Sequence, residues 1–129
     1  MDKALAEIAR VLKPGGIGYI SEPIYAGEFN DILRMFHDEK SVRQAALDAL
    51  QRAVADETLE LKEELFFYAP VVFENFEQFA DRVMGVTHSH FQLTDELIAQ
   101  VEAKFDQTVK TNEGLFRQPI RVDLLQKPL

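Results

Sequence analysis

Two rhythms of apolar residues alternate along this chain. Between residues 2 and 12, Leu5, Ile8 and Leu12 share one face at helical spacing, with Ala4 and Val11 beside them. That spacing predicts a short amphipathic helix. Lys13-Pro14-Gly15-Gly16 stops it, because Pro14 lacks an N–H and the glycines can take positive φ. Ile17 to Ser21 is nearly all apolar, the pattern of a strand covered on both faces. The loop SEPIYAGEFN follows, and then Phe29, Ile32, Leu33 and Phe36 return to helical spacing. Ser41 and Gln44 stand as a capping-box pair, predicting a helix over about 42–55 that buries Val42, Ala46, Ala49, Leu50 and Ala53.

Leu59, Leu61, Leu65 and Phe67 alternate with Glu60, Lys62, Glu64 and Phe66, with one polar lapse at Glu63. This is strand period over about 59–68, and Pro70 is expected to end or bend the strand. Asn75 with Gln78 marks a helix start over about 76–84, burying Phe76, Phe79 and Val83. Leu93-Thr94-Asp95-Glu96 marks another: Thr94 caps, the acids suit the helix dipole, and Leu93 staples to Ile98. Leu97, Val101, Phe105 and Val109 extend its inner face until Asn112-Glu113-Gly114 breaks it. LFRQPIRVDLLQK closes the chain as a strand, interrupted or bulged near Pro119. Phe66, Phe67, Phe73, Phe76, Phe79 and Phe91 are expected in the core, any surplus lining an apolar pocket or an interface. The order is α–β–αα–β–αα–β, with no internal repeat and no linker, and residues 1–129 read as one unit.

The stretch ALAEIARVLKPGGIGYISEP resembles the segment around the fifth strand of class I S-adenosylmethionine-dependent methyltransferases. Leu5, Glu7, Arg10, Val11, Leu12, Lys13, Pro14, Gly15 and Gly16 carry the match. The remaining elements follow that family's order, though only the first twenty or so residues are specific in sequence. The resemblance implies an α/β, partial Rossmann-like methyltransferase fold. Its three-stranded mixed sheet would run in the family order 5-7-6, with helices on its faces and the last strand antiparallel between the other two. The family's first four strands and its acidic–Gly-x-Gly cofactor loop have no counterpart in these 129 residues. The GGIG at 15–18 is not that loop, because it precedes its strand, whereas the nucleotide-binding loop follows one and opens a helix. The chain therefore reads as the C-terminal half of such an enzyme. It carries substrate-side elements, is expected to be catalytically silent alone, and is not expected to bind S-adenosylmethionine by itself. The alternatives are a non-enzymatic dimerisation module and a small-ligand-binding α/β module.

Charge narrows the partners. Lys plus Arg is 14 and Asp plus Glu is 22, a net charge of −8. That balance argues against nucleic acid and against an anionic membrane surface. The absence of cysteine excludes disulfides, thiolate metal sites and cysteine nucleophiles, and favours a cytoplasmic home. No apolar run is long enough to span a bilayer, and MDKALAEIARVL lacks the pattern of a signal peptide.

In an open α/β sheet, ligands lie beyond the carboxyl ends of the parallel strands. The resemblance therefore places substrate-pocket candidates at Ser21, Glu22, Pro23, Tyr25 and Phe29. Glu22 either orients or deprotonates a substrate hydroxyl or amine, or it caps the next loop in solvent. His88 and His90, two apart in THSHF, either line a substrate lid or form a polar turn ahead of Thr94. Without a cysteine or an obvious third ligand they do not make a metal site. His37, at the end of its helix, reads as a capping residue favoured by the helix dipole. The apolar edge of strand 17–21 carries no protecting charge. A homodimer is therefore expected, through that edge or by exchange of the N-terminal helix.

Overall fold

The computed structural model describes residues 1–85 and 93–129. The elements are α1 (Asp2–Val11), β1 (Ile17–Pro23), α2 (Glu28–Leu33), α3 (Lys40–Ala55), β2 (Glu60–Val72), α4 (Phe76–Phe79) running into a π-helical turn (Ala80–Met84), α5 (Asp95–Asn112) and β3 (Leu115–Gln126). The strands form one three-stranded sheet in the order β1-β3-β2. β1 and β3 are antiparallel, in a register that runs from Ile17 opposite Gln126 to Pro23 opposite Ile120. The expected order is found, with the C-terminal strand in the middle. The sheet is antiparallel rather than mixed: β3 runs antiparallel to β1 and separates it from β2, so the two outer strands do not pair with each other.

The chain packs into two compact units. The first comprises Met1–Ile24, Lys40–Phe67 and Ile120–Leu129; the second comprises Tyr25–Glu39 and Tyr68–Pro119. In the first, Leu5, Ala49, Leu50, Ala53, Leu59 and Leu125 form the buried core, with Ile8, Leu12, Ile20 and Val54 packed against it. Because side chains alternate across a strand, Gly18, Ile20 and Glu22 share a face with Leu125, Asp123 and Arg121. A Cβ at Gly18 would meet Ile8 and Leu12, so this is the face that α1 covers. On the other face Ile17 is 58% and Tyr19 72% exposed. The expectation of a strand buried on both sides is thereby corrected: an apolar run in an antiparallel sheet does not require two covering layers.

The Pro-Gly-Gly turn is tied to the end of β3. Gly15 N–H donates to the Lys127 carbonyl at 2.8 Å, and Lys127 N–H donates to the Gly16 carbonyl at 2.9 Å. The Lys127 ammonium donates to the Leu12 carbonyl at 2.9 Å, and the Gln126 amide to the Gly15 carbonyl at 2.9 Å. Gly15 has φ +80, and a Cβ at Gly16 would lie 2.8 Å from the Lys13 carbonyl oxygen. Both glycines are therefore required by the turn itself.

The second unit is built on phenylalanine. Ile32, Leu33, Phe36, Phe73, Phe79, Met84, Val101, Phe105 and Phe116 are its buried core. Asn75 Oδ1 accepts from Gln78 N–H and Thr94 Oγ1 from Leu97 N–H, so both of these expected caps form. Leu93 and Ile98 pack against the same cluster, as the staple requires.

Several sequence expectations need correction. α3 begins at Lys40, so Ser41 lies inside its first turn, and the Gln44 amide donates to Asp48 instead of closing a capping box. Val42 is exposed. β2 continues through Pro70, which an outer strand tolerates because a proline there need not donate to the ladder. Along β2, Leu61, Leu65, Phe66 and Phe67 are exposed, so the strand period does not mark a buried face there. β3 is continuous through Pro119. That proline lies one residue beyond the last β1 pair, where no β1 partner needs its N–H.

Candidate functional site

β1 delivers Ser21, Glu22 and Pro23 at its carboxyl end. Ser21 is opposite Val122 on the exposed face, while Glu22 is opposite Arg121 on the helix-covered face. The alternation of the strand thus separates the two polar candidates. Tyr25 is half-buried. Phe29 is engaged in the aromatic cluster of the second unit, its ring 6.2 Å from Phe73 and 6.5 Å from both Phe79 and Phe116. His88, His90 and Phe91 lie outside the described residues. His37 Nε2 sits 3.0 Å from Glu39 Oε1, and its backbone N–H donates to the Leu33 carbonyl; the C-cap of the helix is Arg34.

A different group of side chains has the stronger electrostatics. Asp123, in the middle of the central strand, is 0% exposed. Its Oδ2 accepts from Arg121 Nε at 2.9 Å, in a pair almost wholly removed from water. Its Oδ1 is buried and accepts no hydrogen bond from a permanent donor. Glu64, on β2, faces it. A hydrogen bond to the Asp123 carboxylate, then burial, then the Asp123 charge hold the Glu64 carboxyl above its ordinary value, against the opposing Arg121 guanidinium. The two facts agree in one state: a proton on Glu64 gives the Asp123 carboxylate a donor, and two ionised carboxylates would otherwise stand face to face.

The pair opens on a hollow of about 260 Å³ in the first unit. Leu47, Leu50, Gln51, Val54, Ala55 and Leu61 line it together with Glu64 and Asp123. Sequence reasoning passed over the pairing of Glu64 with Asp123. Asp123 sits among β-strand apolar positions, and Glu64 reads as the polar half of an alternating strand.

Glu64 has a stability consequence. Its folded-state pKa is raised, so between the ordinary value and the raised one the folded chain binds more protons than the unfolded chain. Stability then falls as pH rises through that window. Glu64→Gln keeps a donor toward Asp123 and removes the titration. Melting curves from acid to neutral pH should show the variant more stable at pH 7, by on the order of a few tenths of a kcal/mol at this screened position, and flatter with pH. A variant less stable at pH 7 would show that the carboxyl pair does not share a proton.

A second hollow, of about 370 Å³, belongs to the second unit and is lined by Glu28, Thr111, Asn112, Glu113, Leu115 and Arg117. Arg117 N–H donates to Glu28 Oε1 across it at 3.1 Å. Among the described residues no cluster of His, Cys, Asp and Glu has the arrangement of a metal site, and no helix is long and apolar enough to cross a membrane.

No protein-family model matches the chain, and no match is found among curated proteins.

Proposed function

We propose that these 129 residues form the substrate-side portion of a class I S-adenosylmethionine-dependent methyltransferase fold. The observation that carries the reading is the sheet: the last strand lies between the other two and is antiparallel to the first. That is the relation of strands five, seven and six in the family, and it goes with the L-x-E-x-x-R-V-L-K-P-G-G segment at 5–16. On this reading Ser21, Glu22, Pro23 and Tyr25 stand where a methyl acceptor is received, and a cytosolic location accompanies it.

The residues present do not fit the cofactor by themselves. The Gly-Gly turn has spent its donors: Gly15 N–H goes to Lys127 and Gly16 N–H to Lys13. It also lies at the amino end of β1, away from the end where nucleotides bind in such sheets. Calorimetric titration of the chain with S-adenosylmethionine should show no binding. A dissociation constant in the low micromolar range, about −8 kcal/mol, would refute this.

The family assignment has its own test, a chimera in which a methyltransferase cofactor-binding half precedes residue 1. Hydrogen exchange should show the β1 amides slowed relative to the chain alone, because the family's fourth strand pairs with that edge. A chimera whose cofactor half folds and binds S-adenosylmethionine, yet leaves β1 exchanging as before, overturns the assignment.

A further inference from the structure

We propose that the hollow beside Asp123 is a binding site for a small aliphatic ammonium ion, its charge held between Asp123 and Glu64 and its hydrocarbon against α3. The site is independent of the methyltransferase reading. Asp123 Oδ1 is a buried acceptor without a permanent donor, and Asp123 is one of the residues that line the hollow. A buried polar atom of this kind costs free energy until something donates to it. The Glu64 carboxyl faces the Asp123 carboxylate and donates to it by holding a proton. Once Glu64 ionises, the carboxylates at this end outnumber the one Arg121 guanidinium, and a cation offsets the excess.

The other charges nearby do not offset that excess. On β2, Lys62 pairs with Glu60 at 2.9 Å. On β1, Glu22 stands opposite Arg121 in the register and adds a further negative charge to this face. From α3 the lining contributes Gln51, which is uncharged. No cation of the first unit is thus placed to fill the gap among the described lining residues.

The walls select the ligand class. Leu47, Leu50, Val54 and Leu61 give an apolar side, and the carboxylates give one end. A calcium or magnesium ion needs about six oxygen ligands and would meet the Arg121 guanidinium. An anion would meet the carboxylates. An ammonium has three donors, enough for Asp123 Oδ1 and Glu64 together, and a short alkyl chain suits a hollow smaller than the roughly 300–1,000 Å³ of drug-sized sites. Glu64, exposed at the rim, is the group that moves aside, exchanging its proton for the ligand's N–H donors.

The test is calorimetric titration of the full chain with n-butylammonium, repeated in buffers of different ionisation heat and at several pH values. Butylammonium should bind while 1-butanol does not. Binding should release protons near the raised Glu64 value, and at higher pH it should tighten and release none. Glu64→Gln should abolish proton release and weaken binding at least about tenfold, the loss of one charge-assisted hydrogen bond. Asp123→Asn should lose binding. Should that buried substitution prevent folding, Glu64→Gln, at an exposed position, decides alone. Absence of a binding heat with butylammonium, equal affinity for butanol, or a Glu64→Gln variant with unchanged affinity and proton count would each overturn the proposal.

Discussion

Phe79→Ala should cost about 3–5 kcal/mol of stability, the usual loss for truncating a fully buried phenylalanine. Phe79 is 0% exposed and is the hub of the second unit. Its ring lies 5.2 Å from Phe73, 5.3 Å from Phe105, 5.8 Å from Phe76, 6.2 Å from Phe36 and 6.5 Å from Phe29. Most of these pairs meet edge to face or tilted, the arrangement the ring quadrupoles favour. It also stands where α4 gives way to the π-helical turn, so neighbouring backbone cannot close the void simply by sliding. Against a typical total of about 5–15 kcal/mol, such a loss removes a large share. In urea, where the slope is about 1–3 kcal/mol per molar, the midpoint should fall by at least about 1 M. Phe67→Ala is the control. Sequence rhythm places Phe67 in the core, but it is 50% exposed on β2 and should shift the midpoint little. A Phe67→Ala loss as large as that of Phe79→Ala would show that the exposed side of β2 is covered in solution.

That contrast shows where the pattern of residues was informative. Helical faces were legible because burial repeats through many positions. Val101 and Phe105 are buried and Leu97 and Val109 half-buried, on the stripe their spacing predicts. Caps were legible where the side chain precedes the helix, as at Asn75 and Thr94. Strand burial was not, since alternation tells which residues share a face but not whether anything covers it. Leu65 and Phe67 alternate correctly and remain exposed. Neither proline breaks its strand, so the expected ending at Pro70 and interruption at Pro119 do not occur. Pro70 lies on an outer strand, where a proline is tolerated, and Pro119 lies one residue beyond the last β1 pair. The two-unit packing leaves no mark in the sequence because each unit is assembled from separate segments, so no linker divides them.

The carboxyl pair was illegible for a different reason. Glu64 and Asp123 are far apart in sequence and meet only because β2 and β3 are neighbours in the sheet. Before that pairing is known, Asp123 in RVDLLQ is one acid in an amphipathic strand. Arg121, two residues away on the same face, is the one signal that was available. Charged residues at i and i+2 of a strand lie on one side, and opposite charges so placed in an apolar strand mark a buried pair.

We propose that the chain self-associates through the free edge of β1, and sedimentation at micromolar concentration should show a dimer. No described strand pairs with β1 on the side away from β3. Ile17 and Tyr19 are exposed there and carry no charge, while backbone donors and acceptors along an open edge seek partners. Two copies joined antiparallel about a two-fold axis would extend the sheet across the interface and satisfy both edges at once. Exchange of α1 is the weaker route, because Leu5 is already buried within its own chain against α3. Net charge −8 per chain opposes association, but screening acts within about 8 Å at physiological salt, so added salt should strengthen the dimer. A stable interface needs on the order of 1,200 Å² of buried surface, more than one short strand edge provides, so the exposed side chains of Ile17 and Tyr19 must contribute. Ile17→Lys with Tyr19→Lys places like charges along the edge and should weaken association more than tenfold, by about 1.4 kcal/mol or more, without disturbing the core. A wild-type monomer at micromolar concentration would sink the proposal, as would a double-lysine variant that dimerises as tightly as wild type.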